Sequence, residues 1–306
     1  MKKIRVGIVG VGHIGSNHAR LYAEIPSADF TAVYDLDLAR GHAIGRKFNA
    51  LTAKSLDEFI EMVDAASVAT PTNTHYEVAR SLLARGKHLL IEKPITDNTA
   101  HAAELVELAA RNGLILQVGH VERFNPVLNA LEKHMTHPRF IEAHRLSPYP
   151  ERSTDIGVVL DLMIHDLEVI LHFVRSPVQS IDAVGVPVLS LGEDIANARL
   201  RFENGCVANV TSSRISPERM RKIRVFQEDA YLSLDYQNQS GEIYRRIGGR
   251  IAREKVEIER EEPLKRQLMS FIECASTGRE PRVSGFQATA ALDLAVEITK
   301  RLSSSV

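Results

Sequence analysis

Lys93 stands in the triplet Glu92-Lys93-Pro94, directly after the apolar run Leu89-Leu90-Ile91. A second group of reactive side chains lies in Gly157–Val174, an otherwise apolar run interrupted by Asp161, His165, Glu168 and His172. Their spacing of i, i+4, i+7 and i+11 aligns them on one narrow stripe of an α-helix, so that helix is packed on most sides. Imidazole titrates near neutrality and serves as acid or base. Asp161, one turn from His165, can accept from a hydroxyl or orient the ring. Taken singly, each feature has a plain reading: a solvated surface lysine, a core histidine, a thin solvent seam. Asp166, off the stripe, reads as structural.

The elements that position these groups begin with Gly10-Val11-Gly12-His13-Ile14-Gly15, which follows the apolar strand Ile4–Val9 and opens a helix. Gly10 permits a tight turn, Gly12 lets backbone approach a pyrophosphate, and Gly15 allows close helix–strand packing. The helix start, with His13 and Ile14, offers free N–H groups and a partial positive charge to an anion. Asp35 ends the next strand, 20 residues beyond Gly15, where a carboxylate accepts from an adenosine ribose diol. This is a dinucleotide site with NAD as the expected cofactor, because a 2′-phosphate beside Asp35 is repelled. Arg40 can offset that repulsion and leaves NADP open.

Thr70-Pro71-Thr72-Asn73-Thr74-His75 lies between a strand and a helix, at the carboxyl end of the same sheet, where open α/β sheets bind ligands. Thr70, Pro71, Asn73 and His75 are therefore candidate cofactor contacts, with Thr74 as helix cap. Glu92 and Lys93 close the next strand in the same layer. A lysine there, beside a cationic ring and partly desolvated, is favoured in its neutral form, as proton exchange near neutrality requires.

Short β-branched strands alternate with helices through the first 120 residues, which predicts a doubly wound parallel sheet of Rossmann type. From Val178 to Glu259 come consecutive strands with turns at Glu203-Asn204-Gly205 and Asn238–Gly241, which predicts a mainly antiparallel sheet. The fold class is thus α/β, an N-terminal Rossmann domain (1–120) followed by a C-terminal α+β domain (121–306). The last helix, Phe286–Ser303, is expected to return to the first domain.

Lys and Arg number 38 against 39 Asp and Glu, evenly spread, which argues against a nucleic-acid partner. Cys206 and Cys274 form no CxxC motif and read as buried thiols of a reducing, cytoplasmic compartment. No apolar run is long enough to span a membrane, and no metal site is expected.

In their order and separation, the glycine turn, the Thr70–His75 turn, Glu92-Lys93-Pro94 and the Asp161–His165 helix resemble the glucose–fructose oxidoreductase / inositol dehydrogenase / rhizopine-catabolism (Gfo/Idh/MocA) family along the full chain. One departure is Thr72, where the family has asparagine; Asn73 is next to it. The resemblance implies a Rossmann domain plus an open-faced, mainly antiparallel sheet domain, NAD(P)-dependent oxidation or reduction at a sugar or cyclitol carbon, and homodimers or homotetramers formed through the sheets. Lys93 and His165 then become the acid–base pair, Asp161 a substrate ligand and Glu92 a contact to the nicotinamide-side ribose. The segments Val118–Pro126 and Gly157–Asp166 resemble the branch that oxidises UDP-N-acetylglucosamine at C3. Arg123, Arg145 and Arg152, together with the run Arg214, Arg219, Arg221, Lys222 and Arg224, suit the diphosphate of a UDP-sugar, with Arg123 the named substrate contact. That basic run reads equally well as a charged strand edge. Alternatives are an inositol or simple aldose dehydrogenase, or a non-catalytic NAD-binding sensor.

Overall fold

The computed structural model describes residues 3–149 and 156–303. In chain order the elements are β1 (Ile4–Val9), α1 (His13–Glu24), β2 (Ala28–Tyr34), α2 (Leu38–Phe48), β3 (Leu51–Thr52), α3 (Leu56–Met62), β4 (Ala65–Val68), α4 (His75–Ala84), β5 (His88–Ile91), α5 (Thr99–Arg111) and β6 (Leu116–Val118). There follow α6 (Pro126–His134), β7 (Phe140–Leu146), a π-helical turn (Val159–Met163) and α7 (Ile164–Val174). The strands β8 (Val178–Val186), β9 (Ile195–Phe202), β10 (Val207–Ser213), β11 (Met220–Phe226), β12 (Ala230–Asp235), β13 (Ser240–Ile247) and β14 (Arg250–Val256) precede α8 (Pro263–Thr277) and α9 (Gly285–Ser303).

The chain forms two compact units, one made of the chain up to Val121 with Glu262–Thr289, the other of Glu122–Glu261 with the chain from Ala290. The segment that returns to the first unit therefore carries α8, whereas most of α9 belongs to the second, which corrects the expectation for the last helix. The reason lies in side-chain burial. Leu268, Phe271 and Ile272 of α8 are at most 1% exposed in the same core as Val6, Ile8 and Leu21. Each such side chain contributes about 1.5–3 kcal/mol, more than the exposed pairs Arg20–Glu262 and Lys265–Glu24, worth roughly 0–1 kcal/mol each.

The first unit's sheet is parallel, in the order β3-β2-β1-β4-β5-β6. The winding reverses between β1 and β4, so their carboxyl ends flank the ligand crevice of a doubly wound sheet. Gly10, Asp35, Thr70, Glu92 and Gly119 all follow strand ends on that edge. The strands are mostly apolar because helices cover both faces: Ile8, Val68, Leu90 and Ile91 are fully buried.

The second unit's sheet runs β14-β13-β12-β11-β7-β10-β9-β8. All its pairs are antiparallel except β7–β10. Burial alternates along the central strands. Ile141, Ala143 and Arg145 of β7 are buried, and Phe140, Glu142, His144 and Leu146 are half-exposed. That alternation leaves one face open. A row of stacked rings, Phe140, Phe226, Tyr231 and Tyr244, crosses four neighbouring strands, with centroid separations of 5.5, 4.6 and 5.1 Å.

Candidate active site

Each glycine of the first turn meets a distinct steric demand. Gly10 has φ +84°, and a Cβ there would lie 2.8 Å from the Ala69 carbonyl oxygen. A Cβ on Gly15 would lie 1.9 Å from the Gly10 carbonyl oxygen, so α1 packs here only without a side chain. Nothing among the described residues lies within 4 Å of a Cβ built on Gly12. Space is therefore open where a dinucleotide's pyrophosphate would approach. The first turn of α1 has no acidic residue and no side-chain cap among the described residues, which leaves its amides for an external anion. His13 and Ile14, the latter 44% exposed, line this helix start.

Asp35 is 8% exposed and accepts from the Val11 N–H at 2.8 Å and from the Asp37 N–H at 2.8 Å. The Val11 bond ties the end of β2 to the glycine turn and orients the carboxylate beside it. A carboxylate has about four acceptor positions, so capacity for a ribose diol remains. Arg40 lies 3.7 Å from the same carboxylate and 3.3 Å from Asp37. The residues present fit an adenine dinucleotide.

On the other side of the switch point, the Thr74 hydroxyl lies 2.8 Å from the Thr70 hydroxyl and donates to the Pro71 carbonyl at 2.7 Å, so it braces the turn and does not cap α4 as expected. Pro71 and Asn73 are exposed. His75 is 1% exposed, and its two ring nitrogens lie 2.9 Å from the Pro94 and Thr70 carbonyl oxygens. The ring is thus left almost no exposed surface for the direct cofactor contact expected of it. Glu92 sits against the fully buried His18, at 3.3 Å from Nε2, and the Lys93 N–H donates to it at 3.4 Å. A Cβ on Gly119 would come within 2.6 Å of the Glu92 carboxylate. The glycine thus gives that carboxylate its place at the carboxyl end of β5, beside half-exposed Lys93.

In the second unit, the predicted single α-helix opens with the π-turn, in which the Ile164 N–H reaches back to the Val159 carbonyl. A π-turn inserts an extra residue and often marks a functional site. It offsets Asp161 from the stripe that α-helical spacing assigns it. Asp161 is half-buried and His165 is 9% exposed. Asp166 is buried and structural, as its place off the stripe implied: Arg145 donates to both its oxygens, at 2.8 and 3.0 Å, and to Glu122 at 2.9 Å.

Arg123, expected to meet substrate, is 1% exposed and donates to Glu168 at 2.9 Å. That buried ion pair accounts for the third member of the stripe and leaves Arg123 almost no exposed surface for the substrate contact expected of it. Most of the basic run is likewise paired. Arg214, 1% exposed, donates to Asp194 at 2.8 Å, and Arg224 and Lys222 face Glu142 and Asp235. Arg221, exposed, lies 3.6 Å from Glu122, and Arg219 is also exposed, whereas Arg152 lies outside the described residues. Sequence reasoning missed His18, Glu122 and Asp194. Glu203-Asn204-Gly205 and its like announce turns, but no local spacing announces a partner brought in by the fold.

The chain places Gly10, Gly12, Gly15, Asp35, the Thr70 turn, Glu92 and Lys93 on one edge of the first unit, and Asp161 and His165 on consecutive turns of the second. Residues 4–120 match the oxidoreductase family with NAD-binding Rossmann fold, and residues 130–233 match the GFO/IDH/MocA C-terminal domain. The chain is 34% identical over 305 residues to UDP-N-acetylglucosamine 3-dehydrogenase of Acidithiobacillus ferrooxidans, covering 97% of each chain. A solved structure of that enzyme superposes with a TM-score of 0.94 at 33% identity over 99% of each chain. Myo-inositol 2-dehydrogenase of Thermotoga maritima is 27% identical and is matched over 98% of this chain and 96% of its own. The glycine turn, the lysine triplet and the two matched domains together make this chain an oxidoreductase of the Gfo/Idh/MocA family, built to bind a nicotinamide dinucleotide.

Proposed function

We propose that this enzyme is a UDP-N-acetylglucosamine 3-dehydrogenase that uses NAD. The observation that carries this reading is identity of 34% to the Acidithiobacillus enzyme, sustained over 97% of both chains. Asp35 favours NAD, since its carboxylate, buried to 8% exposure, would stand against a 2′-phosphate.

Bound NAD supplies the hydride acceptor, and the protein supplies placement and proton transfer. The α1 amides and Gly12 hold the pyrophosphate, Asp35 the adenosine ribose, and Glu92 the nicotinamide-side ribose. Thr70, Pro71 and Asn73 line the second turn. Asp161 accepts from a sugar hydroxyl. Lys93 or His165 takes the proton of the 3-hydroxyl as that carbon loses its hydride, and the sugar is released as the ketone. The open face of the second sheet, with its aromatic row, joins copies into a homodimer or homotetramer. Two free, buried cysteines suit a cytoplasmic enzyme.

The test is a panel of UDP-N-acetylglucosamine, other UDP-sugars, myo-inositol and free aldoses with NAD or NADP, following reduced nicotinamide. Turnover of UDP-N-acetylglucosamine with NAD is expected to lead. Preference for an inositol would reassign the substrate, and cofactor binding without turnover across the panel would make the protein a sensor.

A further inference from the structure

His75 joins two turns that the proposed chemistry uses for different purposes. Thr70 follows β4 and belongs to the cofactor turn, and Pro94 follows β5 and is bonded to Lys93. These strands are neighbours in the sheet. The buried imidazole spans the gap between them, with Nδ1 2.9 Å from the Pro94 oxygen and Nε2 2.9 Å from the Thr70 oxygen. Both oxygens are main-chain acceptors, so whichever nitrogen carries the proton donates to backbone and not to a mobile side chain.

We propose that His75 is a positioning residue whose Nδ1 edge sets the Lys93 turn and whose Nε2 edge sets the cofactor turn. This rests on the reading of Lys93 as a proton-transfer group. Burial pushes the imidazole below its usual value, against the bonds to the Pro94 and Thr70 carbonyls and the nearby Glu92 charge. The neutral ring carries one N–H, so each tautomer donates to one of the two carbonyls, and the Pro94 and Thr70 bonds are alternatives held by different tautomers. Its two edges are therefore separable by substitution. In His75→Asn the amide nitrogen falls where Nδ1 stands, which keeps the Pro94 contact and loses Thr70. In His75→Gln the longer arm reaches the Nε2 position, which keeps Thr70 and loses Pro94.

The experiment measures NADH Kd by fluorescence titration and kcat with UDP-N-acetylglucosamine, normalised to NADH-binding sites, for both variants and for Lys93→Ala. A crossed result is expected. His75→Gln loses about tenfold or more in kcat, because small misplacement of a reacting group is costly, and binds NADH as wild type does. His75→Asn keeps most of kcat and binds NADH about fivefold more weakly, the scale of one hydrogen bond. Any uncrossed pattern, including equal losses in both variants or none, overturns the proposal. Full turnover by Lys93→Ala overturns the Lys93 reading and this inference with it. An inactive Lys93→Ala beside uncrossed His75 variants overturns this inference alone. If neither amide variant folds, histidine ¹⁵N NMR of the wild-type protein decides: one His75 ring N–H protected from exchange is expected, and two exchanging freely contradict it.

Discussion

Arg145 grips Asp166 through two parallel hydrogen bonds, at 2.8 and 3.0 Å, one residue beyond His165 in α7. Both side chains are at most 5% exposed. The pair thus pins α7 to β7 at the very turn that carries the imidazole, and Glu122 takes the guanidinium's remaining edge at 2.9 Å.

Removing one partner of such a pair leaves a buried charge without compensation. Asp166→Ala is expected to lower unfolding free energy by about 3–5 kcal/mol, read from the midpoint of urea unfolding. A loss under about 1 kcal/mol, typical of exposed pairs, would show that water reaches the site.

Asp194 anchors the turn before β9. Burial pushes its carboxyl up, but the Leu189 and Ser190 amides and Arg214 outweigh burial and hold it well below the usual carboxylate range. The folded state therefore binds this proton less readily than the unfolded chain. Its stabilisation is complete above the unfolded value of about 3.9 and drains as pH falls through the lower folded value. Thermal melts from pH 6 down to pH 2 should show a steeper acid loss in wild type than in Asp194→Asn, which starts less stable. Parallel curves would contradict the assignment.

Gly12 and Gly15 separate cofactor fit from fold. A Cβ on Gly12 meets nothing among the described residues, whereas one on Gly15 meets the Gly10 carbonyl at 1.9 Å. Gly12→Ala should melt like wild type yet bind NADH at least about tenfold more weakly, as the methyl enters the space of close backbone approach. Gly15→Ala should lower the melting temperature itself. Calorimetry with NADH titration reads both, and undiminished NADH binding by Gly12→Ala would move the pyrophosphate elsewhere.

Asp35 and Arg40 stand 3.7 Å apart at the ribose end. Replacing the carboxylate in Asp35→Ser leaves the guanidinium to meet a 2′-phosphate. The ratio of kcat/KM for NADP over NAD should rise by about tenfold or more, the worth of roughly 1.4 kcal/mol. An unchanged ratio would mean that Asp35 does not read the ribose.

The strand–turn–helix–strand unit around the glycine turn was legible because its constraints are local. Gly10, Gly15 and Asp35 act within one strand–turn–helix–strand unit, so spacing alone carries the geometry. The apolar strands of the first sheet and the turn at Gly205 were readable for the same reason. What escaped depends on distant partners. Arg123 looked like a free cation for a diphosphate until Glu168, on another element, met it in the interior. Arg214 did the same with Asp194. His75 has the same local signature whether it touches a ligand or two carbonyls, and only the packing of β4 beside β5 decides. The π-turn at Val159–Met163 is invisible to a periodicity count because it changes the period within a single turn. β7 joins the second sheet from before α7, parallel to β10, which no sequential strand pattern foretells.

The central claim is that Lys93 exchanges a proton with the sugar hydroxyl as hydride departs. Single-turnover NADH formation, at saturating NAD and UDP-N-acetylglucosamine, measures that step for Lys93→Ala against wild type. The rate should fall by about 10²–10⁴-fold, while NADH Kd stays within about twofold. A Lys93→Ala protein that reacts at the wild-type rate would place the proton transfer on another group.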